Sequence, residues 1–168
     1  LIKDEDEISK KEQQLKNIQL KAILDKASKQ VSQKLGLKNI QLKTDIQIAE
    51  AKILIDEELL IRVVVNLIDN AIKFSFPQSE IKVEAYTEDK KLILVVSDSG
   101  LGFNPEYKDE IFKKFTNRSK PGTANEPSTG IGLYLCKRIV EKYNGNLLAS
   151  SEGANKGATF SIVFELEG

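Results

Sequence analysis

The stretch Arg62–Phe74, RVVVNLIDNAIKF, is apolar at most positions but carries a regular set of polar ones. On a helix, Asn66, Asn70 and Lys73 fall on one line, because they are spaced by four and three residues. The apolar remainder is typical of a helix buried over most of its circumference, so the polar line must face water or a polar ligand. Two carboxamides and an ammonium suit a metal-bound nucleotide, because amide oxygens bind divalent metals and positive charge binds phosphate. A solvated polar stripe is the alternative, although Glu and Lys are commoner there than Asn, a poor helix former.

The composition is that of an ordinary globular domain. The 168 residues are 40% hydrophobic and 30% charged, and 25 basic residues balance 25 acidic ones. This balance predicts no nucleic-acid partner, and no apolar run reaches the roughly 18 residues of a membrane-spanning helix. The single cysteine, Cys136, excludes an internal disulfide and indicates a reducing compartment.

Two residue types are missing from the sequence. The absence of histidine excludes Ser-His and Cys-His catalysis and most zinc sites. The absence of methionine, even at position 1, predicts that the chain is a fragment of a longer protein.

The order of predicted elements indicates an α/β (α+β) two-layer sandwich. We expect a mixed, mostly antiparallel sheet, covered on one face by three helices. Residues 1–18 are dense in charge and read as a linker or the tail of an upstream domain, whereas 19–168 form the folded domain. The predicted helices are 20–35, ended by Gly36, then 57–74 and 130–144. The predicted strands are 40–46, 52–55, a hairpin of 81–87 and 91–97, 146–151 and 158–165. The long irregular segment 103–128, with a short helical piece at 108–115, is typical of a lid.

A glycine-rich turn follows the predicted strand 91–97. In Asp98-Ser99-Gly100-Leu101-Gly102 the glycines permit a sharp turn, and Asp98 projects from the strand end. A carboxylate there can accept a hydrogen bond from the amino group of adenine, whereas it would repel the O6 acceptor of guanine. Alone, this pattern is more often an ordinary turn.

Two further glycine motifs come near the C-terminus. Ser128-Thr129-Gly130-Ile131-Gly132-Leu133 opens a helix, where unpaired N–H groups attract phosphate. It matches neither the Walker pattern nor the dinucleotide pattern, and alone it is usually just a helix start. Gly157-Ala158-Thr159-Phe160 leads into the last strand and by itself reads as a turn.

Taken together and in this order, the four motifs resemble the ATP-binding catalytic domain of sensor histidine kinases, in the superfamily shared with DNA gyrase, Hsp90 and MutL. The resemblance runs from about Leu20 to Leu166. It implies ATP and Mg²⁺ as cofactors. It implies that Asn70 coordinates Mg²⁺ with Asn66 as its companion, that Lys73 contacts phosphate and that Phe74 lies beside the nucleotide.

The same resemblance assigns the remaining site residues. It implies that Asp98 reads adenine, that Gly100 and Gly102 shape its loop, and that Thr159 helps to bind adenine through water. The aromatic pair of the lid corresponds to Phe112 and Phe115, and the second glycine box at the phosphates to Gly130, Gly132 and Leu133. Arg118 stands one residue later than the usual arginine of the lid, so its contact with the γ-phosphate stays open.

The residue at position 66 separates the members of the superfamily. ATP-hydrolysing relatives and anti-sigma-factor serine kinases have a Glu four residues before the metal-binding Asn, as a general base. Here that position is Asn66, and a carboxamide cannot take a proton. A neutral imidazole needs no base to attack phosphorus, so this favours transfer to histidine, with Asn66 and Lys73 as the catalytic residues.

The prediction is therefore the catalytic domain of a two-component sensor histidine kinase. It transfers the γ-phosphoryl group of Mg-ATP to a His on an upstream dimerisation domain, and a response regulator is the later acceptor. The fragment itself is expected to be monomeric and the parent protein a homodimer, cytoplasmic or the cytosolic part of a membrane sensor. The alternatives are a non-catalytic nucleotide-sensing module and an anti-sigma-factor-type serine kinase.

Overall fold

The fold is a two-layer α/β sandwich, seen in a computed structural model that describes residues 16–113, 121–124, 126 and 131–166. Among the described residues the main sheet has five strands: β2 Gln41–Ile46, β4 Glu80–Glu88, β5 Lys91–Asp98, β6 Asn146–Ser150 and β7 Ala158–Glu165. Their order across the sheet is β2-β4-β5-β7-β6. Strands β2 and β4 are parallel, and the other neighbours are antiparallel. The mixed, mostly antiparallel sheet is the predicted one.

Three helices pack on one face of this sheet, as the sequence predicts. They are α1 Leu20–Lys38, α2 Glu57–Phe74 and α3 Gly132–Lys142. Alternate residues of the central strands share one core with the helices, among them Ile81, Val83, Leu92, Leu94, Val96, Phe160 and Ile162. This period-two pattern is what a sheet covered on a single face requires.

The ends of these helices and strands follow from local chemistry. The Asp56 side chain caps α2 by accepting from the Glu58 amide at 3.2 Å. Asp89 and Lys90 form the β4–β5 turn with φ values of 50° and 60°, as a two-residue hairpin demands. The predicted end of α1 at Gly36 is wrong. The helix continues to Lys38 and ends at Asn39, whose φ of 54° is left-handed.

A second, two-stranded sheet contains the first strand of the described chain. Strand β1 (Lys16–Gln19) pairs antiparallel with β3 (Glu50–Ile53), and Ile18 is completely buried. The folded part therefore includes Lys16–Ile18, which the sequence assigned to a linker, because pairing with a distant strand leaves no local signal. The predicted strand 52–55 is also shifted, to 50–53.

The segment after β5 differs from its prediction. Instead of a helical piece at 108–115, the structure has two 3₁₀ turns, Pro105–Tyr107 and Glu110–Phe112. Phe115 lies outside the described residues.

Within the described part of the chain, none of the helices is both long and apolar enough to cross a membrane.

Candidate nucleotide-binding site

Helix α2 presents its predicted polar line at a half-buried surface. Asn66, Asn70 and Lys73 are partly exposed, and the half-buried Phe74 ends the helix. The opposite side of α2 is fully packed, with Leu60, Val63, Leu67, Ile68 and Ala71 in the core. The helix is thus fixed by its apolar face, and its polar line lies at a surface that a polar ligand can reach.

Asn66 also touches the neighbouring helix. Its side chain hydrogen-bonds the thiol of Cys136 on α3, and that thiol lies 3.9 Å from the Val63 carbonyl oxygen. Burial raises the pKa of Cys136 to about 12, so this cysteine is a neutral packing residue.

Asp98 ends β5 in a desolvated position. Burial raises its pKa from 3.8 to about 6, against the opposing effect of hydrogen bonds from the amides of Gly100 and Ala158. The Gly100 amide donates to Oδ1 at 2.9 Å. A carboxylate withdrawn from water in this way gains by accepting a hydrogen bond from a ligand.

The turn after Asp98 is attached directly to the end of α2. The Leu101 amide donates to the Phe74 carbonyl oxygen at 2.9 Å. A Cβ on Gly100 would overlap the same carbonyl group, so only glycine permits this approach. The contact holds the loop of Asp98 beside the helix that carries Asn70 and Lys73.

The same turn is held from its other side by the start of β7. The Gly157 amide donates to the Gly100 carbonyl oxygen at 3.1 Å. Gly102 and Gly157 have φ values of 61° and 74°, and a Cβ on either would overlap backbone oxygens of the facing loop. These glycines serve backbone packing within the site.

Thr159 does not lie where the sequence placed it. Asp98 is directly opposite Ala158 in the β5–β7 pair, and Thr159 is opposite Ser97 and Ser150. Directly paired residues point to the same face and successive residues to opposite faces. Ala158 therefore shares the face of Asp98, and Thr159 faces away from it. The prediction chose the residue one position too far along the strand, and neighbouring strand residues point to opposite faces of the sheet.

The second glycine box is described in part. Gly132 is the first residue of α3, a Cβ there would meet no atom within 4 Å, and Leu133 packs against the core. Open space at a helix N-terminus is compatible with a phosphate group. Gly130, Arg118 and Phe115 lie outside the described residues.

Phe112 is buried, with its ring 6.2 Å from that of Phe160 in an edge-to-face contact.

Lys73 lies beneath a short piece of the predicted lid. The Thr123 amide donates to the Lys73 carbonyl oxygen at 3.0 Å, and a Cβ on Gly122 would overlap that oxygen. Partial burial lowers the pKa of Lys73, against the opposing charge of Glu126. The Lys73 ammonium is 5.3 Å from the centre of the Phe74 ring.

Four residues around this point were missed in the sequence: Lys38, Gly122, Thr123 and Glu126. Lys38 is buried, and its ammonium donates to Thr123 Oγ1 at 2.7 Å and lies 2.7 Å from Glu126 Oε2. A lysine at the end of an amphipathic helix has no distinctive sequence signal. The pair Pro121-Gly122 favours a bend in the chain, but nothing in the sequence indicates the contact of Gly122 with Lys73.

The donor set fits a magnesium nucleotide. Among the described residues there is no group of three or more His, Cys, Asp or Glu side chains that could hold a metal ion. A magnesium ion here would be held by the amide oxygens of Asn66 and Asn70, with phosphate and water as its other ligands. Asp98 offers an acceptor, and Lys73 offers positive charge.

The chain matches a known family. The model of the histidine kinase-, DNA gyrase B- and HSP90-like ATPases covers residues 55–168, so the chain belongs to this family and is a nucleotide-binding ATPase-type domain. The sensor protein SrrB of Staphylococcus aureus (strain NCTC 8325 / PS 47) is 35% identical over 107 residues. These are 64% of this chain but 18% of SrrB, so the chain spans under a fifth of that relative.

Solved histidine kinases share the fold. The mycobacterial sensor histidine kinase MprB superposes with a TM-score of 0.78 at 24% identity, covering 92% of this chain and 99% of that one. The histidine kinase ThkA in complex with the response regulator protein TrrA gives a TM-score of 0.72 at 20% identity, covering 91% and 42%. The fold is that of histidine kinase catalytic domains.

Proposed function

We propose that this domain binds Mg-ATP and transfers its γ-phosphoryl group to a histidine on a separate, upstream dimerisation domain. One observation carries the proposal. Gly100 and Leu101 contact the Phe74 carbonyl, and so bring the desolvated acceptor Asp98 to the end of the helix that carries Asn70 and Lys73. This contact supports a single site that combines an adenine-reading group with phosphate- and metal-binding groups.

The side chains would then have distinct roles. Asp98, with its raised pKa, accepts a hydrogen bond from the adenine amino group and selects adenine over guanine. Lys73 places positive charge at the phosphates, and Gly132 leaves room at the N-terminus of α3. Phe74 and Leu133 supply apolar surface beside the nucleotide. Gly100 and Gly102 fix the loop of Asp98.

Asn66 and Asn70 would hold Mg²⁺, which when bound neutralises phosphate charge and orients the transferring group. Neither carboxamide can accept a proton, so neither can act as a general base. A neutral imidazole needs no general base to attack the γ-phosphorus. This absence of a base is why we place histidine ahead of a serine hydroxyl or water as the acceptor. Phe115, Gly130 and Arg118 remain proposed nucleotide contacts on the resemblance alone.

The proposal also defines partners. The acceptor histidine would come from the dimerisation domain, and a response regulator would receive the phosphoryl group from it. ThkA, a structural relative, has been solved in complex with a response regulator. Because ATP and response regulators are cytoplasmic, the domain would work in the cytoplasm.

Isothermal calorimetry tests nucleotide binding. ATP is expected to bind in the presence of Mg²⁺ and GTP at least about tenfold more weakly, since one acceptor-to-acceptor clash replaces a hydrogen bond. Asp98→Asn is expected to abolish this preference. Asp89→Asn, in the β4–β5 turn where Asn tolerates the positive φ, is the matched control and is expected to behave like the parent. Absence of heat with ATP and ADP would contradict the proposal.

Phosphoryl transfer requires a second experiment. The domain is mixed with its separately produced upstream helical hairpin and γ-labelled ATP, and acid-labile phosphohistidine is measured. Nucleotide binding without phosphohistidine would indicate a nucleotide-sensing module. Acid-stable phosphoserine on an added partner would indicate the serine-kinase alternative.

A further inference from the structure

Lys38, the last residue of α1, is a buried charge outside the proposed contacts with nucleotide. Only 8% of it is exposed. A buried ammonium is costly unless its protons are satisfied, so its acceptors show what the residue does.

The Lys38 ammonium contacts the C-terminal end of α2. Its nitrogen lies within hydrogen-bond distance of the carbonyl oxygens of Ile72 at 2.8 Å, Lys73 at 3.1 Å and Ser75 at 3.2 Å. Its three N–H groups are shared among these carbonyls and the side-chain oxygens of Thr123 and Glu126. The last carbonyls of a helix have no partner within the helix and carry the negative end of its dipole. Lys38 therefore caps the helix at the turn that carries Lys73.

The same ammonium holds a piece of the predicted lid, which we call the anchor segment (Gly122, Thr123 and Glu126). It lies 2.7 Å from both Thr123 Oγ1 and Glu126 Oε2. The Thr123 hydroxyl in turn donates to the Ser75 carbonyl oxygen at 2.6 Å. Burial alone would raise the pKa of Glu126, but hydrogen bonds from Lys38 and the Ala124 amide outweigh it, so the pKa is lowered.

The anchor segment also packs directly against Lys73. Gly122 approaches the Lys73 carbonyl oxygen and side chain more closely than any Cβ would allow. The Thr123 amide donates to that oxygen at 3.0 Å. The carbonyl oxygen of Lys73 thus accepts from both the Lys38 ammonium and the Thr123 amide.

We propose that Lys38 is a positioning residue for the phosphate end of the nucleotide site. By tying Thr123 and Glu126 to the end of α2, it fixes Lys73 where the phosphates bind. This inference rests on the proposed function, because it concerns the same site. It predicts that the affinity for phosphate-bearing ligands depends on the contacts of Lys38 with Thr123 and Glu126, which we call the clamp. The affinity for adenosine is expected not to depend on them.

The test uses two variants that leave the net charge unchanged. Thr123→Val removes the hydroxyl but keeps the shape, and Lys38→Met/Glu126→Gln removes the ion pair. The matched control is Lys34→Met/Asp69→Asn, which removes an exposed 3.2 Å ion pair that joins the same two helices. Binding of ATP and of adenosine is measured for each, with hydrogen exchange of the Thr123 amide.

Both clamp variants are expected to bind ATP about tenfold more weakly, the loss of roughly one charge-assisted contact, with adenosine binding unchanged. Exchange of the Thr123 amide is expected to rise about tenfold. The control is expected to stay within about twofold of the parent in every measurement. If Lys38 only stabilised the fold, the clamp variants would lose affinity for ATP and for adenosine to the same extent.

An ATP-to-adenosine affinity ratio within about twofold of the parent in the clamp variants would overturn the inference, whether or not exchange changes. If Lys38→Met/Glu126→Gln does not fold, Thr123→Val decides by itself. If the parent chain binds no ATP, the proposed function has failed, and this is seen before any variant is made.

Discussion

Gly100 lies against the carbonyl group of Phe74 so closely that a side chain on Gly100 would overlap it. The Leu101 amide donates to the same oxygen at 2.9 Å. These two positions are distant in sequence, and their contact joins the loop of Asp98 to the helix of Asn70. The geometry of the site therefore depends on a backbone contact, with glycine as its requirement.

Gly100→Ala is expected to lower the free energy of unfolding by about 2 kcal/mol or more, because backbone must move to admit the methyl group. ATP affinity is expected to fall with it as Asp98 is displaced. Gly36→Ala is the matched control, since a Cβ there meets nothing within 4 Å in the helix. That change should stabilise the domain by about 0.5–1 kcal/mol. Urea unfolding measures both, and equal effects would contradict the argument.

ATP affinity is expected to fall as the pH drops through about 6, the raised pKa of Asp98. The protonated carboxyl no longer accepts freely from the adenine amino group, so affinity decreases up to about tenfold per pH unit below that point. Calorimetry between about pH 7.5 and about pH 5 measures this. The Asp98→Asn variant should bind weakly at every pH, without the decline.

The stability of the free domain is expected to change in the opposite direction. The folded state holds the Asp98 proton up to a higher pH than the unfolded state, whose pKa is near 3.8. As the pH falls from about 6 towards 3.8, the contribution of Asp98 to the free energy of unfolding therefore rises. Comparing urea unfolding of the parent and of Asp98→Asn isolates this contribution, which should vanish in the variant.

Thr159→Ala is expected to leave ATP affinity unchanged, because Thr159 faces away from Asp98. Ala158→Val should weaken ATP about tenfold or more, since it adds two methyl groups on the face that Asp98 shares. Titration with ATP measures both variants, and unfolding curves verify that they fold. A strong loss in Thr159→Ala with none in Ala158→Val would reverse the assignment of faces.

Asn70→Ala is expected to remove most of the gain in ATP affinity that Mg²⁺ gives, because an oxygen ligand of the metal is lost. Binding of ATP without Mg²⁺ should change less than about threefold. Asn146→Ala, at the exposed start of β6, is the control and should keep the full magnesium effect. The measurement is the ratio of ATP affinities with and without Mg²⁺.

Cys136 is expected to resist thiol reagents in the folded domain. It is fully buried, and its pKa is raised to about 12, so almost no thiolate is available. Labelling by a thiol reagent should therefore follow the fraction of unfolded protein across a urea titration. Rapid labelling of the native domain would contradict this burial.

The sequence by itself determined the elements and the chemistry of the helix from Glu57 to Phe74. Periods of 3.6 and 2 residues are local, so α2, the β4–β5 hairpin and β7 were predicted closely. Asn66, Asn70 and Lys73 fall on one line in any helix of that sequence.

The tertiary structure alone decided which side chains meet. The face of Thr159 follows from its pairing with Ser97, one position along the strand from the pair of Asp98 and Ala158. The strand Lys16–Gln19 forms because it pairs with β3. Lys38 contacts carbonyl oxygens that are more than 30 positions away in the sequence. Such contacts are set by packing between distant segments, for which a local pattern carries no information. The sequence therefore specified the groups needed for a nucleotide, and the fold specified how they are held.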